Sequence, residues 1–325
     1  MMTAIVRASL HLWPLVLFGF AFGIVAGAIL LPVLRSLQVR QHAYEDAPAT
    51  HQAKTGTPTM GGVLFLIVAA LMFADMTDPL RYAYGLLIFG CGAIGFIDDR
   101  LGISKGTNRG LRARTKLLLS ALVAVTFLNL ADRSYALFPR DVLFHTAAYS
   151  LVAPHWLWLL LGIVAVTGTV HAVNLTDGLD GLATGVIVPP LIVFAIIAYP
   201  STLVGVANVL ALTTGACLAF LVFNRHPAKM FMGDTGSLTL GAILSGAAIL
   251  SGEMLLLVIV GAVFLAEALS VMVQVAYFKQ TKRRIFRMSP LHHHFELGGM
   301  PETQVTLRFW IASALCSLAG LAIVA

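Results

Sequence analysis

The chain has 325 residues, 58% of them hydrophobic and 11% charged, with a formal net charge of +6. A soluble domain carries about 25% charged residues, so this composition excludes a soluble domain and predicts that lipid surrounds most of the chain. The basic residues fall in short loops between apolar stretches, whereas nucleic-acid binding needs a basic patch on a soluble face. The sequence therefore predicts no nucleic-acid partner.

Ten apolar stretches follow one another along the chain. A membrane-spanning helix needs about 20 residues, and the stretches 184–199 and 236–251 are the weakest by that measure. We predict an all-α polytopic membrane protein with about ten transmembrane helices, in a single domain over residues 1–325. The stretches are 12–34, 59–76, 80–97, 115–130, 155–173, 184–199, 202–222, 236–251, 254–278 and 304–324.

Lysine and arginine decide the predicted orientation. One set of long polar loops, with the helix ends beside them, holds all but four of the 21 basic residues. Cytoplasmic loops carry such an excess, so this set is predicted to be cytoplasmic and both termini periplasmic. The set comprises 35–58, 98–114, 174–183, 223–235 and 279–303.

Five aspartates lie beside apolar sequence on the predicted cytoplasmic side, where ionisable groups are costly and are usually functional or paired. Asp98 and Asp99 come at the predicted inner end of the third helix, and neighbouring helical side chains diverge by about 100°. A metal ion or a basic group would relieve the repulsion between the two carboxylates. The alternative, a solvated pair at a helix C-terminus, opposes the helix dipole.

Two glycine-containing segments carry the other three inner aspartates. In the segment 174–181, Asp177 and Asp180 are three apart and would share a face if helical; the alternative is a polar turn with capping residues. Asp234 opens the eighth helix, whose first turn offers free N–H groups to a phosphate or a metal-bound phosphate. Asp234 as a simple N-cap is the alternative there.

Two further polar segments suit an anionic ligand. The run His292, His293 and His294 cannot converge on one zinc ion in regular structure, and hydrogen bonding to phosphate or to an acid fits it better. The segment 51–62 offers Lys54, hydroxyl groups and glycines, but it does not match a P-loop. Carboxylates with phosphate oxygens favour Mg²⁺. Together these groups predict a cytoplasmic active-site cleft for metal-dependent phosphoryl transfer onto a lipid.

Six motifs, in this order, resemble the polyprenyl-phosphate phospho-sugar transferases, and most closely the phospho-N-acetylmuramoyl-pentapeptide transferases. The resemblance runs from about residue 51 to residue 310, and the histidine run followed by Phe295 and Glu296 separates this family from relatives that use N-acetylglucosamine phosphate. The motifs are KTGTPTMGG (54–62), GFIDD (95–99), NLTDGLDG (174–181), FMGDTGSL (231–238), EALSVMVQ (267–274) and PLHHHFE (290–296).

The resemblance implies a reaction: UDP-MurNAc-pentapeptide and undecaprenyl phosphate give lipid I and UMP, with Mg²⁺, in peptidoglycan biosynthesis. It implies a multi-pass protein of the bacterial inner (cytoplasmic) membrane, in contact with membrane lipids and present as a homodimer. A sister enzyme that transfers N-acetylglucosamine-1-phosphate to the polyprenyl phosphate is the alternative. A transporter is a further class, but its ion sites would lie near the midplane of the membrane.

The resemblance also implies roles for individual residues. Asp98 and Asp99 would be catalytic, with Asp98 the base for the lipid phosphate, and Asp234 would bind Mg²⁺. His292 and His293 would be catalytic groups that contact the phosphates or the sugar-peptide, with His294 also on the substrate. The expected uridine contacts are Asp180, Asn224 and Phe231, the last stacking on uracil, and the cleft would be lined by Lys54, Thr59, Lys116, Asn174 and Asp177.

One position departs from the family pattern. A lysine usually follows the acidic pair by three residues, but that position is Gly102 here. Either Lys105 or Lys116 replaces that lysine, or the lysine is dispensable. The route of transfer stays open between a direct attack and an aspartyl-phosphate intermediate. Direct attack is preferred, because Mg²⁺ and helix N-termini would already stabilise the developing charge.

Overall fold

The computed structural model describes helices and one β-hairpin. The described residues are 2–37, 56–73, 79–105, 110–134, 139–146, 148–199 and 203–324. The helices are α1 (Met2–Ser36), α2 (Val63–Ala70), α3 (Pro79–Ser104), α4 (Ala113–Asp132), α5 (His155–Thr176), α6 (Leu182–Ala198), α7 (Val204–Asn224), α8 (Gly233–Leu250), α9 (Leu256–Val260), α10 (Ala262–Thr281), α11 (Leu291–Glu296) and α12 (Glu302–Val324), and the strands are β1 (Val142–His145) and β2 (Ser150–Val152).

Seven helices of the described chain are long and apolar enough to cross a membrane: α1, α3, α4, α5, α7, α10 and α12. Helix α6 is a shorter apolar helix of 17 residues. The chain is therefore a helical membrane protein, as its composition predicts. Each of the ten predicted stretches contains a helix, but the count of ten spans and the side of the termini stay predictions.

Two of the predicted spans differ in the structure. The described part of the stretch 59–76, which ends at residue 73, contains α2, whose 8 residues extend about 12 Å, less than a hydrocarbon core of about 30 Å. The stretch 254–278 is divided into α9 and α10 at Gly261, whose ψ of 16° departs from helical geometry. Hydropathy detects apolar sequence, but it does not show where the backbone leaves the helix.

Two boundaries also differ from the prediction. Helix α3 continues beyond residue 97 to Ser104, so Asp98 and Asp99 lie within the helix and not at its end. The connection 131–154, which lies between two of the predicted stretches, contains the antiparallel pair β1–β2, with an irregular register between Val142 and Phe144. The hairpin packs against the turn after α8, where Leu255 N–H donates to Leu143 O at 2.9 Å.

Helix α8 forms the centre of the bundle. All of its residues from Thr235 to Leu250 are buried, and it packs against α2, α3, α5, α6 and α7. Its sequence, GDTGSLTLGAILSGAAIL, lacks a charged face, and a helix with no polar face is buried on all sides. Small side chains let the surrounding helices approach it closely. Asp234 lies in the first turn of this central helix, and we call the end of the bundle at which it lies the site end.

Helices α1 and α7 pack along a stripe of glycines. Gly19 lies against Leu212, and a Cβ on Gly23 would come within 2.7 Å of the Ala219 Cβ. From the other side, a Cβ on Gly215 would come within 2.6 Å of the Phe20 backbone nitrogen. Such close backbone approach is a common way for helices to associate in lipid, where apolar burial provides no driving force.

Gly215→Ala is expected to lower the free energy of unfolding by about 1–3 kcal/mol, because the new methyl group must force α1 away from α7. Gly168→Ala is the matched control on α5, since a Cβ there would meet nothing within 4 Å and alanine is the better helix former. Thermal unfolding in detergent would compare the two variants. Equal melting temperatures would contradict the described packing.

A buried acid joins the hairpin to α8 at the end of the bundle opposite the site end. Glu253 is 1% exposed, and His145 Nδ1 lies 2.8 Å from its Oε1. The two side chains are not aligned as a hydrogen bond. Burial raises the pKa of Glu253 from 4.5 to about 8, and the backbone N–H of His145 partly opposes this shift.

Stability is expected to fall as the pH rises from about 5 to about 8. The pKa of Glu253 is higher in the folded state than in the unfolded chain, so between the two values the folded state binds more protons and a rising pH favours unfolding. Glu253→Gln should remove this slope in a melting-temperature series in detergent. His145→Gln is the control for the neighbouring imidazole, and a slope that persists in Glu253→Gln would refute the assignment.

Candidate active site

Asp98, Lys116 and Asp234 meet at the site end from three different helices, α3, α4 and α8. Lys116 Nζ donates to Asp234 Oδ2 at 2.7 Å and lies 3.5 Å from Asp98 Oδ1. The three side chains are 12–20% exposed, so the charges are partly screened from solvent. One ammonium group thus stands between two carboxylates, those of Asp98 and Asp234.

Asn174 adds a fourth helix to this cluster. Its Nδ2 donates to Asp234 Oδ1 at 2.8 Å and to Ser237 Oγ at 2.9 Å. Asn174 lies two residues before the last residue of α5, so the amide is carried by regular helix. Both oxygens of Asp234 are held by donors from neighbouring helices, and its direction is fixed before any ligand binds.

Asp99 caps the first turn of α8 from the neighbouring helix. Its Oδ1 accepts the Asp234 N–H at 3.0 Å, and its Oδ2 accepts the Thr235 N–H at 2.9 Å and the Thr235 hydroxyl at 2.6 Å. These N–H groups have no partner within α8. Gly95, one turn earlier on α3, makes the contact possible, because a Cβ there would lie 2.6 Å from the Thr235 nitrogen.

The two adjacent acids therefore serve different neighbours. Asp98 Oδ1 accepts the Leu111 N–H at 2.7 Å and faces Lys116, whereas Asp99 faces α8. This divergence is the one expected from their helical spacing. Asp234 lies in the first turn of α8, as predicted, but the cap of that helix is Asp99 and not Asp234.

The segment after α5 is a turn. Helix α5 ends at Thr176, and α6 begins after Gly181, which has a φ of +72°. The condition for Asp177 and Asp180 to share a helical face, a helical segment, is therefore not met, and the segment forms a polar turn. Gly181 adopts a left-handed conformation that glycine tolerates well.

Asp180 belongs to a cluster that connects three segments. Its Oδ2 accepts the Ala228 N–H at 3.0 Å and lies 3.1 Å from His226 Nδ1, while Glu302 Oε1 accepts the Asp180 N–H at 2.7 Å. The ligand atoms of Asp180, His226 and Glu302 lie within 4.8 Å of one another, so the group could hold a metal ion. An imidazole beside two carboxylates suits a transition metal better than Mg²⁺.

Asn224 and Phe231 lie on the connection between α7 and α8. Asn224 is 2% exposed and makes three hydrogen bonds within the protein, to Gly181, Thr184 and Met230. Phe231 is partly exposed and pairs through its backbone with Pro58 and Gly61.

The segment around Thr59 runs along the start of α8. Thr59 is 7% exposed, and the Gly62 N–H, three residues later, donates to Met232 O at 2.9 Å. Lys54, predicted to line the same cleft, lies outside the described residues.

A pocket of about 650 Å³ opens beside this segment. It does not contain the carboxylate cluster, but it includes Pro58, which pairs with Phe231, and Ala228, which donates to Asp180. Its two cations would suit an anionic group. The lining residues are Arg35, Gly56, Thr57, Pro58, Pro227, Ala228 and Lys229.

The three histidines of α11 point to three different partners. His292 is buried against Glu267, His293 Nδ1 lies 3.2 Å from Glu296 Oε2, and His294 Nδ1 accepts the Arg287 N–H at 3.1 Å. They do not converge on one ion, as the sequence predicts for consecutive residues.

The structure distinguishes the two lysines, Lys105 and Lys116, that could replace the lysine missing at position 102. Lys105 is exposed at the end of α3, whereas Lys116 lies in the cluster, so Lys116 is the lysine that the structure brings to the acidic pair. His171 was not predicted. It lies one turn before Asn174, within electrostatic range of Lys116 and Asp234, and its buried Nε2 makes no hydrogen bond to any described residue. A histidine within an apolar stretch was the signal that could have revealed it.

Comparison with known proteins identifies the family. Residues 82–252 match the model of glycosyl transferase family 4, and residues 54–66 match signature 1 of the phospho-N-acetylmuramoyl-pentapeptide-transferases. A phospho-N-acetylmuramoyl-pentapeptide-transferase of Desulforamulus reducens is 44% identical over 310 residues, which cover 93% of this chain and 92% of that protein. The chain belongs to the phospho-N-acetylmuramoyl-pentapeptide-transferase family.

Other members are similar over the same extent. The family member of Heliobacterium modesticaldum is 45% identical over 307 residues, covering 92% of this chain and 94% of the relative. The member of Bacillus subtilis is 41% identical over 312 residues, covering 94% and 95%. The resemblance inferred from the six motifs is thereby confirmed for the chain as a whole.

Asp99→Ala is expected to lower the free energy of unfolding by about 2–4 kcal/mol, because it leaves N–H groups of α8 buried without an acceptor. Asp98→Ala is the matched control. It removes one backbone acceptor and relieves the repulsion with Asp234, so a loss of about 1 kcal/mol is expected. Melting temperatures in detergent would rank the variants, and a larger loss for Asp98→Ala would contradict the capping role.

Proposed function

We propose that this protein transfers phospho-MurNAc-pentapeptide from UDP-MurNAc-pentapeptide to undecaprenyl phosphate, giving lipid I and UMP in the bacterial inner membrane. The observation that carries the proposal is the Asp98–Lys116–Asp234 cluster at one end of a membrane bundle, in a chain of this family. A site at the ends of apolar helices is accessible both to a lipid phosphate and to a soluble nucleotide.

We propose Mg²⁺ as the cofactor, held by Asp234 with Asp98. The donors fit, because the carboxylates of Asp98 and Asp234 bring hard oxygen atoms together around a single lysine. When bound, Mg²⁺ would neutralise the negative charge on the two phosphate groups. The Asp180–His226–Glu302 group is less suitable for this ion, since it includes an imidazole.

The chain's own residues then position the reactants. Lys116 would bind a phosphate oxygen, and Asp98 would accept the proton of the lipid phosphate if that group arrives as the monoanion. An oxygen of the lipid phosphate would attack the phosphorus that carries the sugar. A P–O bond forms there while the bond from that phosphorus to the UMP oxygen breaks, and UMP leaves with the electron pair.

Direct attack is the route that we propose, and the contacts of Asp99 support it. Both carboxylate oxygens of Asp99 accept hydrogen bonds from the first turn of α8. An attack by this carboxylate on phosphorus would have to break those bonds and uncap a buried helix. Asp99 is therefore better suited to hold Asp234 in place than to form an aspartyl-phosphate.

The uridine side would lie towards Asp180, Asn224 and Phe231. Phe231 is partly exposed beside the 650 Å³ pocket, whose cations Arg35 and Lys229 would suit nucleotide phosphate.

We propose ten membrane spans with both termini in the periplasm, as the loop charges imply, and a homodimer, as the resemblance implies. Lipid chains would then contact the exposed apolar faces of the spans.

The purified protein in detergent is expected to release UMP only when UDP-MurNAc-pentapeptide, undecaprenyl phosphate and Mg²⁺ are all present. Asp234→Asn should lower the rate by at least about 100-fold, because it removes the charge that Lys116 and the metal need. Asp132→Asn, at the opposite end of the bundle, is the control and should retain the wild-type rate.

Two outcomes would oppose the proposal. UMP release from UDP-N-acetylglucosamine but not from the pentapeptide donor would assign the chain to the sister activity. Full activity without a divalent cation would show that Mg²⁺ is not the cofactor. Lys116 would then be the main group that neutralises the phosphate charge.

A further inference from the structure

A buried carboxylate–imidazole pair lies apart from the Asp98–Lys116–Asp234 cluster. Glu267 on α10 and His292 on α11 are both 0% exposed. The Oε1 atom of Glu267 lies 3.2 Å from the backbone nitrogen of His292 and 3.2 Å from its Nδ1. An ionised carboxylate oxygen only accepts hydrogen bonds, so Nδ1 is assigned as the donor in this contact. Glu267 thereby holds the orientation of the His292 imidazole.

The second ring nitrogen of His292 is left without a partner. Its Nε2 is buried and makes no hydrogen bond within the described chain. It faces Gly178, where a Cβ would collide with the imidazole. A buried unpaired nitrogen costs about 1–3 kcal/mol, and in a native structure such an atom requires an explanation, for example a ligand that completes the hydrogen bond.

The position of this nitrogen connects it to the reactive cluster. Gly178 lies in the turn that directly follows α5, four residues after Asn174, which holds Asp234. The same short segment therefore contacts Asp234 at one end and His292 at the other.

We propose that Glu267 is a positioning residue that holds the imidazole of His292 in place. In that orientation, His292 Nε2 accepts a hydrogen bond from a hydroxyl or amide group in the sugar-peptide part of UDP-MurNAc-pentapeptide, beside the turn 177–178. The inference rests on the proposed function and adds a residue to it. Glu267 touches no substrate; it acts through His292. The short helix α11 has to move by a small amount to admit the ligand, since the nitrogen is buried in the free protein.

A double-mutant cycle on donor kinetics tests this inference. Glu267→Leu is expected to lower kcat/KM for UDP-MurNAc-pentapeptide by about 10- to 100-fold, because a misplaced group loses that much. The KM for undecaprenyl phosphate should not change. In a His292→Ala background, the same substitution should change kcat/KM by less than about 2-fold, because the residue through which Glu267 acts has gone.

Gln274 supplies a matched control on the same helix. Its side chain binds the backbone of Ile285 and Phe286, the loop that leads into α11, and it does not touch His292. Gln274→Leu should therefore disturb that loop. It should lower kcat/KM by the same factor in the wild-type and in the His292→Ala background. If Glu267→Leu were equally additive, the positioning role would be refuted and Glu267 would be a structural residue only.

Conservative variants keep the test decisive if Glu267→Leu fails to fold. Glu267→Gln retains an acceptor oxygen at the same reach and should stay within about 3-fold of wild type. Glu267→Asp is shorter by one methylene and should lose at least about 10-fold, but not in the His292→Ala background. A wild-type protein that releases no UMP would refute the proposed function itself, whereas an active wild type with additive variants would refute only this inference.

Discussion

The capping of α8 by Asp99 is the interaction on which the site depends. Helix α8 is buried along almost its whole length, so the free N–H groups of its first turn cannot be satisfied by water. A carboxylate from α3 takes that place, and it reaches because Gly95 lets the two helices touch. The burial of α8 thus requires a hydrogen-bond acceptor from outside the helix, and Asp99 provides it and in turn holds the start of the helix and the position of Asp234.

The charge balance of the site follows from this arrangement. With Asp99 occupied by backbone donors, the two acids that remain for chemistry are Asp98 and Asp234, and a single Lys116 lies between them. The cluster keeps an excess of negative charge in a partly buried setting, which is costly unless a cation joins it. A substrate that arrives with a divalent cation would relieve this excess, whereas a bare phosphate would increase it.

Helical spacing and hydropathy within single segments predicted much of this architecture. The features that they did not predict depend on contacts between segments far apart in the sequence. The divergence of Asp98 from Asp99, the start of α8 and the separation of the three histidines all follow from helical spacing within one segment. The extension of α3 to Ser104, the brevity of α2 and the hairpin depend on packing against other segments. Capping by Asp99 joins residues 136 positions apart. The sequence shows His171 only as a histidine within an apolar stretch, and its proximity to Lys116 on α4 and Asp234 on α8 becomes visible only in the folded structure.

The turn after α5 shows why so many polar residues are concentrated in one short motif. Residues 174–181 contact α8 through Asn174, His292 through Gly178, and the α7–α8 connection through Asp180. Each contact needs a different residue type: an amide, a residue without a side chain, and an acid. A membrane bundle offers few places where backbone leaves the helix without facing lipid. The connection between α5 and α6 provides one such place, so several parts of the site share it. A substitution at Asn174 or Asp180 would therefore disturb more than one partner.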